Sequence, residues 1–190
     1  MLKRLLANEM LRFVIGFLMT YGFLYVGNYF LAGMTIPGGY YNSWMDNYAD
    51  YISGLRYIIL HGASAFLSLL GYENVVQSYY LHIIGGKTIR MVYSCIGLNI
   101  IFVWWAFNLS FPQLIKNRVT YIISGTVIIT LLNIVRIAMV AISPHKGKFL
   151  NSPFDHHSVF NVVVYGIIIL MIFRIINNHD KKSSSTNLQE

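Results

Sequence analysis

Long apolar runs constrain this chain more than any other feature of its sequence. Three of them, 13–34, 121–142 and 159–176, approach the roughly 20 mostly apolar residues that a helix needs to cross a bilayer. A shorter run, 96–111, ends at Pro112 and is rich in tryptophan and phenylalanine. Charged residues make up only 11% of the chain, against about 25% in soluble domains. The sequence therefore predicts an all-α polytopic membrane protein.

The stretch 51–70 is less apolar than the other runs, because Arg56, His61, two glycines and three serines interrupt it. The pattern leaves open whether this helix crosses the bilayer or lies in its interface. With it we expect about five to six transmembrane or membrane-embedded helices. Their predicted positions are about 13–34, 51–70, 96–111, 121–142 and 159–176.

Two segments are predicted to lie outside the membrane. Between Tyr72 and Val92, apolar residues on both sides of Gly85-Gly86 predict a small extracytoplasmic β-hairpin with a glycine turn. Residues 177–190 carry two lysines and a serine run without periodicity, which predicts a disordered tail. We therefore expect a single integral membrane domain, 1–176.

Basic residues flank the apolar runs, and this pattern argues against nucleic acid as a partner despite the net charge of +7. Such residues set the orientation of the helices and meet anionic membrane lipid. Placing most of them in the cytoplasm puts the hairpin and the loop 143–158 on the outside. That arrangement requires 35–70 not to cross the bilayer completely.

Polar residues from three parts of the chain are predicted to lie at one membrane depth. Cys95 stands at the entry of the helix 96–111, and Arg136 lies about 9 Å inside the exit of the next helix. His156 and His157 directly precede the last helix. Because consecutive spans alternate in direction, all three positions fall on the same side of the membrane. Their side chains are therefore candidates for one active site.

The chemistry of these side chains is complementary. Cys95 is the only cysteine, so an intramolecular disulfide and a multi-cysteine metal site are excluded, and we expect no metal and no other cofactor. A helix N-terminus and a nearby guanidinium from Arg136 both favour the reactive thiolate. A histidine, for which we prefer His157, takes the thiol proton and later protonates the leaving amine. The forked donors of Arg136 also suit a developing oxyanion.

Each of these residues also has a purely structural interpretation. A lone cysteine in a membrane helix is usually a packing residue, and an arginine near a helix end can reach the interface. Asn133 changes this balance, because it shares a helical face with Arg136, and Thr126 and Thr130 extend the polar stripe. A polar stripe in lipid must face protein or water.

Three short motifs occur in order along the chain, at Val92–Leu98, Asn133–Arg136 and His157–Asn161. On these motifs, the chain resembles the exosortase/archaeosortase family over roughly Leu69 to Phe173. The resemblance implies a membrane-embedded cysteine protease or transpeptidase.

Such an enzyme cleaves C-terminal sorting signals of exported proteins and can transfer the proteins to a new anchor. The signal consists of a short motif, an apolar helix and a basic cluster. The resemblance further implies Cys95 as nucleophile, Arg136 as the family arginine and His157 as the histidine. It also implies a multi-pass protein of the bacterial cytoplasmic membrane with an extracytoplasmic active site.

The chain departs from the family pattern at two positions. The family commonly has serine between the cysteine and the glycine, where this chain has Ile96, and Ser94 precedes the cysteine instead. Many members have glycine where Asn161 stands. His156 therefore remains an alternative to His157.

Other functional classes fit the sequence less well. A small transporter or a structural membrane protein would use the Arg136, Asn133 and Thr130 stripe as a polar path or a packing face, but the broken helices or internal symmetry frequent in transporters are missing. A rhomboid-like serine enzyme needs a G-x-S-G pattern, and Ser124-Gly125 lacks its first glycine. An aspartyl enzyme needs two carboxylates at one depth, but only Asp155 lies near the final helices. A zinc protease needs the motif H-E-x-x-H, which the chain lacks.

Overall fold

The structure is a computed structural model that describes residues 9–35, 40–111, 118–143, 162–163 and 165–174. The chain divides into two compact units, Met1–His145 and Lys146–Glu190. In the second unit, the described part includes an apolar helix, α6 (Tyr165–Arg174).

The first unit is mostly helical and carries one small sheet. Its helices are α1 (Glu9–Thr35), α2 (Ser43–Ala49), α3 (Tyr51–Leu69), α4 (Leu98–Ser110) and α5 (Arg118–Ile142). Its strands are β1 (Asn74–Gln77), β2 (Tyr80–Ile83) and β3 (Thr88–Arg90), and a 3-10 turn covers Tyr93–Ile96. This architecture confirms the predicted all-α membrane fold with a small β element before the cysteine.

Among the residues that the structure describes, three stretches are long and apolar enough to cross a membrane: Met10–Thr35, Ser43–Leu69 and Arg118–Ile142. Helices α4 and α6 are apolar but shorter. Helix α4 begins two residues later than the predicted helix 96–111, because Gly97 adopts a left-handed backbone conformation (φ +83°) and separates α4 from the preceding turn.

Helices α1, α4 and α5 pack as antiparallel neighbours, with α4 between the other two. Phe13 near the start of α1 makes an edge contact with Phe107 near the end of α4, at 5.8 Å between ring centroids. On the other side of α4, Trp104 donates a hydrogen bond from Nε1 to the carbonyl of Tyr121 near the start of α5 (3.0 Å). These contacts bring the start of α4 and the C-terminal half of α5 to the same end of the helices.

The sheet lies at that end of the molecule. Its strands are antiparallel in the order β1-β2-β3, and Val76, Leu81 and Ile89 stand side by side on one face. This face belongs to the hydrophobic core together with residues of α3 and α5. The Gly85-Gly86 turn joins β2 to β3 and lies near the C-terminal end of α5, with a cavity of about 390 Å³ between them.

The predicted hairpin was too simple in one respect. Its first arm is not one strand but two, β1 and β2, joined by a tight turn at Ser78 and Tyr79. Ser78 has a positive φ of 51°, which is uncommon for a residue other than glycine. No glycine or asparagine marks this turn in the sequence, so the pattern gave no signal for it.

Candidate active site

Cys95 lies in the 3-10 turn that connects the sheet to α4. The turn is closed by a hydrogen bond from the backbone N–H of Cys95 to the carbonyl of Val92 (2.9 Å). Cys95 is half-buried and packs against the hydrophobic core, whereas the preceding Ser94 is exposed. The cysteine therefore precedes α4 rather than lying in its first turn.

Asn133 on α5 holds this turn in place. Its side-chain Nδ2 donates hydrogen bonds to the carbonyl of Cys95 and to the carbonyl of Ile96, both at 2.9 Å. Asn133 is itself buried. The turn that carries the cysteine is thus fixed to α5 by a buried polar group, whose desolvation is offset by these two bonds.

Gly97 allows Asn133 to come this close. Its φ of +83° lies in the left-handed region, where a Cβ is strained, and an added Cβ would stand 3.3 Å from Asn133 Nδ2. Glycine at this position therefore supplies both the backbone conformation that ends the turn and the room for the Asn133 amide.

Arg136 lies on the same face of α5 as Asn133, one helical turn closer to the C-terminal end. It is buried, with 7% of its surface exposed. Burying a charged guanidinium costs free energy unless its N–H groups bind acceptors or its charge serves a function. The structure thus places a buried arginine one turn beyond the asparagine that binds the cysteine's backbone.

The N-terminal part of the predicted polar stripe, Thr126 and Thr130, makes its hydrogen bonds within the protein. Thr126 donates to the carbonyl of Ile122 (2.7 Å) and accepts a hydrogen bond from Trp105 Nε1 (2.8 Å). Thr130 donates to the carbonyl of Thr126 (2.8 Å). These hydroxyls serve their own helix and a neighbouring tryptophan, an arrangement that does not favour a continuous polar path along α5.

Three predicted site residues cannot be compared with the structure. His156, His157 and Asn161 lie outside the described residues. Their roles remain predictions.

The structure adds a hydrogen-bond network that the sequence analysis missed. Tyr51 at the start of α3 donates to Asn28 Oδ1 (2.6 Å), and Asn28 Nδ2 donates to the hydroxyl of Tyr93 in the cysteine turn. Asn28 is buried within α1. A polar asparagine inside an apolar run must face protein, so the position of Asn28 in the run 13–34 could have predicted a buried hydrogen-bond partner.

A polar cavity of about 620 Å³ lies beside this network. Tyr93, from the same turn as Cys95, lines it together with two basic and two acidic side chains. These four are Arg56, Arg90, Asp46 and Asp50. The cavity therefore offers polar partners of both signs close to the cysteine turn.

Comparison with known families decides the family of the chain. The model of the transmembrane exosortase family (Exosortase_EpsH) matches residues 8–174. The chain belongs to the transmembrane exosortase family. This membership confirms the predicted resemblance and supports, in general terms, a membrane-embedded sorting transpeptidase that acts on exported proteins. Searches of curated proteins and of solved structures gave no match.

Proposed function

We propose that this exosortase is a cysteine transpeptidase in which Cys95 is the nucleophile. The observation that carries the proposal is the pair of hydrogen bonds from Asn133 to the Cys95 turn, with the buried Arg136 one helical turn beyond. A nucleophile works only if its position is held, and the Asn133 amide and Gly97 provide that support.

The proposed reaction has two steps. In the first, the Cys95 thiolate attacks the scissile carbonyl of the sorting signal, and a thioester forms as the peptide C–N bond breaks. The leaving amine takes its proton from the imidazolium of His157, or of His156 if that residue is the partner. Arg136 is expected to bind the oxyanion that develops in this step.

In the second step, an acceptor nucleophile attacks the thioester carbonyl and Cys95 leaves as thiolate. An acceptor amine gives transpeptidation to a new anchor, and water gives hydrolysis. The histidine takes the proton of the incoming nucleophile, which restores it for the next cycle. Asn161 and Ser94 are proposed as neighbours that support the histidine and the cysteine.

The proposed setting is the bacterial cytoplasmic membrane, crossed several times, with the site on the extracytoplasmic face. The substrates would be exported proteins whose C-terminal signal combines a short motif, an apolar helix and a basic cluster. The apolar helix anchors the signal in lipid, and the basic cluster keeps its end in the cytoplasm. The bond to be cut then lies at the outer face.

The proposal is tested by following the cleavage of an exported reporter that carries such a signal, in cells that express the enzyme. Cys95→Ala should abolish cleavage while the membrane level of the enzyme stays unchanged, because alanine removes only the nucleophile. Val119→Ala, at an exposed position near the start of α5 and far from the cysteine turn, is the control and should retain cleavage. Cleavage at the normal rate by Cys95→Ala would eliminate the cysteine mechanism.

The same assay distinguishes the two histidines. His157→Ala should lower the rate by about 10²- to 10⁴-fold, the usual contribution of an acid–base group, and His156→Ala should leave most of it. The opposite result would move the role to His156.

A further inference from the structure

Helix α3 is long and apolar enough to be part of a candidate membrane span, Ser43–Leu69, by length and composition alone. Its neighbours decide whether it can cross. The side chain of Asn74, at the start of β1, donates hydrogen bonds to the carbonyl of Ser64 (3.2 Å) and to Ser68 Oγ (3.1 Å). In the turn that follows β1, the Tyr79 ring stacks on the Arg56 guanidinium, 4.1 Å from ring centroid to Cζ.

These contacts lay β1 antiparallel along α3, from Ser68 back to Arg56. The helix covers roughly 18 Å over this distance at 1.5 Å per residue. A hydrocarbon core is about 30 Å thick. If α3 crossed it, the sheet would lie beside the helix over more than half of that thickness.

A sheet of this kind does not fit into hydrocarbon. It has three strands and two edges, β1 and β3, and an open edge leaves backbone N–H and C=O groups without partners in lipid. Its outer face also carries the exposed polar side chains of Gln77, His82 and Arg90. The sheet must therefore lie outside the hydrocarbon core, and α3 must lie beside it.

The exposed face of α3 agrees with this position. One stripe of the helix is buried in the core: Ile52, Ile59, Leu60, Ala63 and Leu67. The opposite stripe exposes Tyr57, Ile58, His61 and Leu69. His61 stands near the middle of the helix, where a crossing helix would place its imidazole in hydrocarbon at a high cost. An aromatic, an imidazole and aliphatic side chains together suit the headgroup layer.

Helix α3 also packs against the C-terminal part of α5. Gly62 lies against Ile134, and the shared core includes Ile137, Ala138 and Ala141 of α5. A helix that packs on the C-terminal third of a candidate span, and lies beneath a sheet, is positioned at the membrane surface.

We infer that α3 does not cross the membrane but lies along its surface, on the face that carries Cys95, with Tyr57, Ile58, His61 and Leu69 in the lipid headgroup layer. Residues 40–92 then form a cap on one side of the membrane. The inference does not depend on the cleavage chemistry.

The first test maps the two ends of α3. The Cys95→Ala chain contains no cysteine, so single cysteines can be introduced before α3 (Asn47→Cys) and after it (Gln77→Cys), both at exposed positions. A membrane-impermeant maleimide applied to intact cells should label both. Labelling of only one from the outside, with the other reached only after the membrane is opened, would overturn the inference.

The second test measures depth along α3, in proteoliposomes of the full-length chain. A thiol reacts as the thiolate, which forms in water, so His61→Cys should label about tenfold faster than Met19→Cys, an exposed position in the middle of α1. A fluorophore on His61→Cys should be quenched more by a lipid with a spin label at its headgroup than by one labelled deep in the acyl chain. Stronger quenching by the deep label, or no quenching by either, would overturn the inference. Ala63→Cys, on the buried stripe, is the control for labelling that requires unfolding.

Discussion

The two ends of the α4–α5 pair are joined by different kinds of contact. At the Trp104 end, toward the start of α5, the fully buried Trp104 from the middle of α4 lies so close to Gly125 that a Cβ on this glycine would fall 2.1 Å from the indole ring. At the other end, Asn133 binds two carbonyls of a turn that ends at the left-handed Gly97. The first end is joined mainly by close packing around the indole, whose Nε1 also donates to the Tyr121 carbonyl, and the second by a buried amide and an unusual backbone conformation.

Under the proposed function, this difference separates a region that serves stability from one that serves activity. Close packing makes helices associate, and the indole N–H buried at the Trp104 end is satisfied by the Tyr121 carbonyl. Buried polar side chains and left-handed backbone are costly, and proteins concentrate them at functional sites. Changes at the Trp104 end should therefore affect stability, and changes at the Cys95 end should affect activity.

Among the changes that test this difference, replacement of Arg136 is expected to lower the cleavage rate most. Arg136→Ala should lower the cleavage rate by about 10²- to 10³-fold, the usual cost of losing an oxyanion donor. Arg136→Lys should be nearly as damaging, within about tenfold of Arg136→Ala, because lysine keeps the charge but not the planar fork. The reporter assay, corrected for enzyme level, measures both. Full activity of Arg136→Lys would show that only a point charge is needed.

A smaller effect is expected at Asn133. Asn133→Ala removes the donor for both turn carbonyls, and the displaced cysteine should lower the cleavage rate by about tenfold to a hundredfold. Asn133→Asp keeps the shape but replaces the donor with an acceptor, so it should not restore the rate. Asn99→Ala, on the exposed side of α4, is the matched control. Equal rates for Asn99→Ala and Asn133→Ala would contradict a positioning role for Asn133.

The smallest effect on activity is expected at the Trp104 end. Gly125→Ala forces a methyl group against the buried indole and should lower the free energy of unfolding by about 1–3 kcal/mol. Activity per folded molecule should change little. Gly22→Ala in α1, where an added Cβ meets nothing within 4 Å, is the control. Thermal unfolding in detergent compares the two, and an equal Tm would contradict the packing described for Trp104.

Much of the helical part of this fold was predictable from the sequence, because apolar length reports directly on membrane helices. The run 13–34 appears as α1 (Glu9–Thr35), and the run 121–142 appears within α5 (Arg118–Ile142). The Gly85-Gly86 turn was also predictable, since glycine pairs mark hairpins. The orientation of α3 was not, because its sequence is compatible with both positions and only its packing against β1 distinguishes them.

The sequence proposes the residues of the candidate site, and their roles stay predictions, but it does not show how the structure holds the cysteine turn. Cys95 stands at the entry of one apolar run, and Asn133 and Arg136 interrupt the next. The hydrogen bonds from Asn133 to the turn carbonyls depend on tertiary packing, which no local pattern encodes. The same holds for the network of Tyr51, Asn28 and Tyr93, whose members are far apart in the sequence.

The central claim is that Cys95 forms a covalent bond to the substrate, and intact-mass analysis of the purified enzyme tests it most directly. After reaction with a substrate in the absence of an acceptor, the enzyme should gain the mass of the acyl fragment on Cys95. Hydroxylamine should remove this mass, because it cleaves thioesters, and Cys95→Ala should not acquire it. Product formation without any adduct on Cys95, or an adduct of equal amount on Cys95→Ala, would contradict the account.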